Sequence, residues 1–139
     1  MLCASMLLVG QGVFSQSRLP DIFDCRIQQY FQQDDNGVLF DLLIEPKTAF
    51  VQETKGASLL VDRSSGKVLT KAHALGFLPN YVPDVAELGN DKQSFKVRYT
   101  TPSGPYLHLA YLEIKTYALT KQKPFVLIDG ESVFSGVCK

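Results

Sequence analysis

Polar and apolar residues alternate along much of this chain. From Ser94 to Thr101, Phe95, Val97 and Tyr99 fall on one side and Lys96, Arg98 and Thr100 on the other. That is the period-two pattern of a half-buried strand. Val38, Phe40, Leu42 and Ile44 repeat it with Asp41 opposite, which predicts a strand over 38–44 with one apolar face. Ser58–Asp62 and Lys67–Lys71 flank Ser64-Ser65-Gly66 and predict a hairpin. Tyr106–Tyr117 is long, apolar on both faces and rich in β-formers, as expected of a central strand or one that bends between sheets. Phe125–Ile128 and Ser132–Cys138 are joined by Asp129-Gly130-Glu131, a second hairpin signal.

Two stretches stay open at this level. Phe23, Ile27, Tyr30 and Phe31 have helical spacing, yet 22–33 runs into Asp34-Asp35-Asn36-Gly37, and Asn-Gly between β-rich segments favours a strand entering a hairpin. Residues 81–88 read as an irregular loop or one short helical turn. Turn clusters recur along the chain, at Glu45-Pro46-Lys47, Thr54-Lys55-Gly56, Pro79–Pro83, Leu88–Lys92, Thr101–Pro105 and Thr120–Pro124. Gly supplies positive φ there, Pro fixes φ, and Asn or Asp bonds its own backbone. The intervals are too short for typical helices. The expected fold is all-β, with at most one short helix, as an antiparallel sandwich or small barrel of roughly 7–9 strands.

Composition adds compartment. Residues 1–14 carry no charge and are mostly apolar, and Ser15-Gln16-Ser17 precede the first charge, Arg18. A short apolar run ending at small residues has the form of a secretory signal peptide, although the usual basic residue before the run is missing. The run is too short to span a bilayer of about 30 Å. The expected organisation is a leader over 1–15 and one β-domain over 16–139, exported to the periplasm or the extracellular space. Removing the leader takes Cys3 and leaves Cys25 and Cys138, which in an oxidising compartment would pair.

The 139 residues are 45% hydrophobic and 20% charged, ordinary for a globular domain. Fourteen basic residues balance fourteen acidic ones, so the global positive excess of a nucleic-acid binder or membrane-surface protein is missing, though a local patch remains open.

Catalytic chemistry is sparse. A zinc site needs three or four closely spaced ligands, and the chain has only His73 and His108, far apart, with no C-x-x-C. Neither a G-x-S-x-G elbow nor a phosphate-cradling loop occurs, and no catalytic residue, metal or cofactor is assigned. His108 shares its predicted strand face with Ala110, Leu112 and Ile114, which suits a core or interface histidine with pH-sensitive charge. Asp41, Glu113 and Asp129 sit in or beside predicted strands, where alternation makes solvent-facing positions the simplest explanation. Among the aromatics, Tyr99, Tyr106 and Tyr111 fall in or beside strands, and Tyr81 lies in a Pro-braced loop. With His108 they form the candidate ligand or partner contacts.

Val61-Asp62-Arg63-Ser64-Ser65-Gly66, Gln93-Ser94-Phe95-Lys96-Val97, Lys123-Pro124-Phe125-Val126 and Gly136-Val137-Cys138, in that order, resemble a group of small exported bacterial proteins without an assigned function. The resemblance implies an exported β-domain and lends no catalytic or binding residue. The expected function is a non-enzymatic binding or interaction domain whose partner is an envelope protein or a small apolar ligand. The alternatives are a lipocalin-like carrier of such a ligand and a small secreted hydrolase.

Overall fold

The computed structural model of the chain describes residues 19–44, 48–102 and 108–139. The leader expected over 1–15 and Tyr106 lie outside the described residues. Among the described residues nine strands form one antiparallel sheet: β1 (Ile22–Gln33), β2 (Leu39–Asp41), β3 (Ser58–Asp62), β4 (Val68–Thr70), β5 (Val82–Leu88), β6 (Phe95–Thr100), β7 (Leu109–Ile114), β8 (Lys123–Asp129) and β9 (Ser132–Cys138). Their order is β4-β3-β1-β9-β8-β7-β6-β5, with β2 pairing the second half of β1. The sheet curls into a half-barrel rather than stacking as two layers.

Alternation puts the core on the concave face. Phe95, Val97 and Tyr99 of β6, Ala110, Leu112 and Ile114 of β7, and Phe125 and Leu127 of β8 are buried. Phe23 and Ile27 of β1 and Phe134 of β9 join them, and the Tyr30 and Phe134 rings stack at 4.3 Å. The segment that carries the chain from β4 to β5 therefore runs from one sheet edge to the other. It forms two 3₁₀ turns, His73–Leu75 and Leu78–Asn80, and buries Leu75 and Leu78 against the open side.

The two edges are also held by side chains. Asp62 Oδ1 accepts from Ser64 Oγ, Ser65 N and Ser65 Oγ, each at 2.7 Å, and shapes the β3–β4 turn. These donors hold the Asp62 carboxyl at about 2, below the usual carboxylate value. The turn sits against β5 and β6: Tyr99 Oη donates to the Gly66 carbonyl at 2.9 Å, and a Cβ on Gly66 would lie 2.8 Å from Val97 Cγ2. Gly66 also has φ +72°, so glycine is required twice over. Arg63 donates to the carbonyls of Leu88 at 2.7 Å and Gly89 at 2.9 Å, fastening the same turn to the end of β5.

The first and last strands of the domain are neighbours. Cys25 and Cys138 face each other directly and form a disulfide, with Cα atoms 3.8 Å apart. The adjacent pair, Asp24 and Lys139, exchanges both backbone hydrogen bonds, so the cysteines occupy a non-hydrogen-bonded pair, where antiparallel side chains approach most closely. Two residues along β1 from Cys25, the register shifts between Ile27 and Gln29, and Gly136 lies opposite Ile27. A Cβ on Gly136 would stand 1.9 Å from the Arg26 carbonyl oxygen, so only glycine fits beside this bulge.

Three expectations need correction, and the one short helix that the all-β reading allowed falls in a stretch it did not mark. Residues 82–88 form strand β5, not a loop or helical turn. Pro83 suits it because β5 is an edge strand, where a missing N–H costs no ladder bond. The short helix, α1, lies at Ala49–Gln52, where the Thr48 side chain accepts from Val51 N and caps it. The strand expected over 38–44 is only three residues long. Asp41 Oδ1 accepts from Leu43 N at 2.9 Å and turns the chain, which buries Leu43 and leaves Val38, Phe40 and Ile44 exposed. The strand expected up to Tyr117 stops at Ile114, because Thr116 Oγ1 turns to the carbonyls of Asn90 and Gln93.

Candidate functional site

Asp129 is the last residue of β8 and shares the inward parity of Phe125 and Leu127; across the ladder it faces Ala110 and Ser132. A carboxylate at that position loses solvent, and desolvation raises its pKa above the usual range, opposed by the charge of His108. Tyr81 ends the second 3₁₀ turn, donating from its backbone N to the Leu78 carbonyl at 3.1 Å, and its ring packs on Phe77 at 5.3 Å. Burial, then the negative charge of Asp129, pushes the Tyr81 phenol up. The register sets the start of β5, the start of β7 and the end of β8 at one end of the sheet, so Tyr81, His108 and Asp129 lie at the same rim.

His108 itself is not a core residue. It precedes β7, is exposed, and donates from its backbone N to Thr101 Oγ1 at 3.4 Å. The expected face with Ala110, Leu112 and Ile114 exists, but the strand begins at Leu109 and leaves His108 at the rim.

The other candidate contacts go elsewhere. Tyr99 is 1% exposed, with its hydroxyl committed to Gly66 and its pKa raised by burial, so it belongs to the core. Tyr111 lies on the convex face and donates to Glu113 Oε2 at 3.3 Å. Ser94 Oγ donates to Glu113 Oε1 at 2.6 Å, and Lys96 Nζ pairs with Glu87 at 3.1 Å. These bonds make a polar lattice across β5, β6 and β7, next to the Arg98–Asp84 pair. Of the four candidates among the described residues, then, Tyr81 and His108 share one rim, and they do so with Asp129, which the sequence reading took as solvent-facing and which the structure leaves half-buried on the parity of Phe125 and Leu127.

Two surface features were missed. The β1–β2 hairpin exposes Val38 at 59%, Leu39 at 55%, Phe40 at 43% and Ile44 at 76%. Val38 and Phe40 alternate with Leu39, so both faces here are apolar and exposed, and among the described strands β2 pairs with β1 alone. The second is the loop between β7 and β8, which exposes Tyr117 and Leu119 among lysines.

Among the described residues no group of three or more His, Cys, Asp or Glu is placed to hold a metal ion, and no helix is long and apolar enough to cross a membrane. Comparison of the chain with known protein families, with curated proteins and with solved structures found no match.

Proposed function

We propose that this protein is an exported, non-enzymatic interaction module that binds a partner protein through the β1–β2 hairpin. The observation that carries this is the run Val38-Leu39-Phe40, exposed on both faces at a strand whose outer edge no described strand pairs. Such an edge invites pairing with an extended segment of another chain unless charge, proline or a cover blunts it; the run itself has no charge or proline, Asp41 closes it, and among the described residues no strand covers it. Fully burying one side chain of this size is worth about 1.5–3 kcal/mol. Three or four together supply enough for a specific contact once the cost of association is met. The Cys25–Cys138 bond is compatible with an oxidising compartment.

The packing of the inner face, filled by Tyr99, Phe23, Phe95, Phe134 and Leu112, favours a module with an external contact over a carrier with an internal apolar cavity. The test is a photo-crosslinking residue at Leu39, with Lys96 on the convex face as comparison. A discrete adduct at position 39, lost when Phe40→Asp is added, is the expected result. Equal labelling at both positions, or none at 39, overturns the proposal.

A second reading is favoured by one observation, the desolvated carboxyl of Asp129 at the same rim as His108 and Tyr81. A carboxyl whose pKa desolvation raises is better suited to general-acid chemistry in a small hydrolase than a fully solvated one. Turnover of an ester, glycoside or peptide substrate that disappears in Asp129→Asn would replace the binding reading with this one.

A further inference from the structure

The balanced net charge conceals a local imbalance. Between β7 and β8 the chain runs Lys115-Thr116-Tyr117-Ala118-Leu119-Thr120-Lys121-Gln122-Lys123, with three lysines and no acid. The loop is held in shape: Lys115 N donates to the Pro124 carbonyl at 2.8 Å, Ala118 N to the Lys115 carbonyl at 3.0 Å, and Lys123 Nζ to the Ala118 carbonyl. Thr116 Oγ1 ties it to the carbonyls of Asn90 and Gln93, which brings Lys92 to the same end of the half-barrel. Asp91 lines, with Lys121, Lys123, Tyr117, Leu119, Leu19 and Pro20, an open cleft of about 400 Å³. Asp21, Asp24 and Asp62 lie at the same end of the sheet but toward β1 and β3, where Arg26 and Arg63 accompany them.

On this fixed base Leu119 stands fully in solvent, at 104% relative exposure, and Tyr117 is 44% exposed. An aliphatic side chain and a tyrosine at a loop tip, ringed by exposed Lys115 and Lys121, match an interface that is apolar just beneath an anionic layer. Lysines gain energy near anionic headgroups, Tyr favours the headgroup level, and Leu favours the acyl boundary. A soluble acidic partner would use the lysines and leave Leu119 without a role.

We propose that the Lys115–Lys123 loop docks this protein peripherally on anionic lipid surfaces, with Leu119 and Tyr117 entering the interface and Lys92, Lys115 and Lys121 facing headgroups. The surface is distinct from the β1–β2 hairpin, so a module held here keeps that hairpin free for a protein.

The test is co-sedimentation of the full, oxidised chain with phosphatidylglycerol-containing vesicles and with neutral phosphatidylcholine vesicles. The quantity read is the excess binding to the anionic vesicles, because an uncharged apolar segment elsewhere in the chain would bind both alike. That excess is expected to fall with salt, to drop roughly fivefold in Lys121→Glu, and to be lost in Leu119→Ser. It should be retained in Lys55→Glu, the same charge change beside α1. No excess over neutral vesicles overturns the proposal. So does an excess that Lys121→Glu abolishes but Leu119→Ser leaves intact, which would identify a soluble polyanion site instead.

Discussion

At the residue scale, Asp129 is where the fold and its candidate chemistry pull against each other. Its side chain follows the inward parity of β8, and desolvation raises its carboxyl pKa in the folded state. A raised carboxyl means that the folded state holds its proton more tightly than the unfolded chain does. The favourable contribution is complete below the unfolded value and is lost as pH rises through the folded one. Asp129→Asn should therefore be more stable than wild type near neutral pH, and the difference should vanish in acid. Urea midpoints measured at about pH 7 and about pH 3 check this; equal midpoints at both values would mean that Asp129 is solvated. Asp62 has the opposite sign. Its carboxyl is held at about 2, so its support of the β3–β4 turn is present above the usual carboxylate value and fades as pH falls toward 2.

At the element scale, β1 and β9 meet around a bulge that leaves no space for a side chain at position 136. Gly136→Ala would drive a methyl into the Arg26 carbonyl and must displace backbone. A loss of about 2 kcal/mol or more is expected in thermal or urea unfolding, whereas the same change at Gly130, with open space around it and φ +54°, should cost less.

The sequence showed strands best where both faces were decided by the same pattern. The alternation of β6 and the hairpins at Ser64-Ser65-Gly66 and Asp129-Gly130-Glu131 are found as read. Strand β1 resolves its helix–strand ambiguity because its partners β3 and β9 sit on either side, a tertiary fact that no local spacing carries. The reading of 38–44 failed for a specific reason. Alternation says which residues share a face but not whether anything covers that face, and Asp41 turns the chain so that Leu43 alone reaches the core. Alternation does separate two of the candidate contacts: Tyr99 shares the parity of Phe95 and Val97 and is in the core, and Tyr111 lies opposite Ala110 and Leu112 and is on the convex face.

At the scale of the whole molecule, one sheet must bury its concave face without a second sheet to cover it. The structure meets that need with the 3₁₀ segment across the open side, with Arg63 and Gly66 joining the β3–β4 turn to β5 and β6, and with the Cys25–Cys138 bond between the first and last strands. The two cysteines are 113 residues apart, so the bond closes nearly the whole domain. For a loop of about 100 residues the chain-entropy model gives about 4–5 kcal/mol, a large share of the stability of a domain this size.

The bond is also what links fold to compartment. Non-reducing peptide mapping of the protein, alkylated as it is taken from the cell, tests it most directly. The expected result is one linked species joining the peptides that contain Cys25 and Cys138, with neither cysteine alkylated. Recovery of both as separate alkylated peptides would contradict the disulfide-tied half-barrel and remove its support for export.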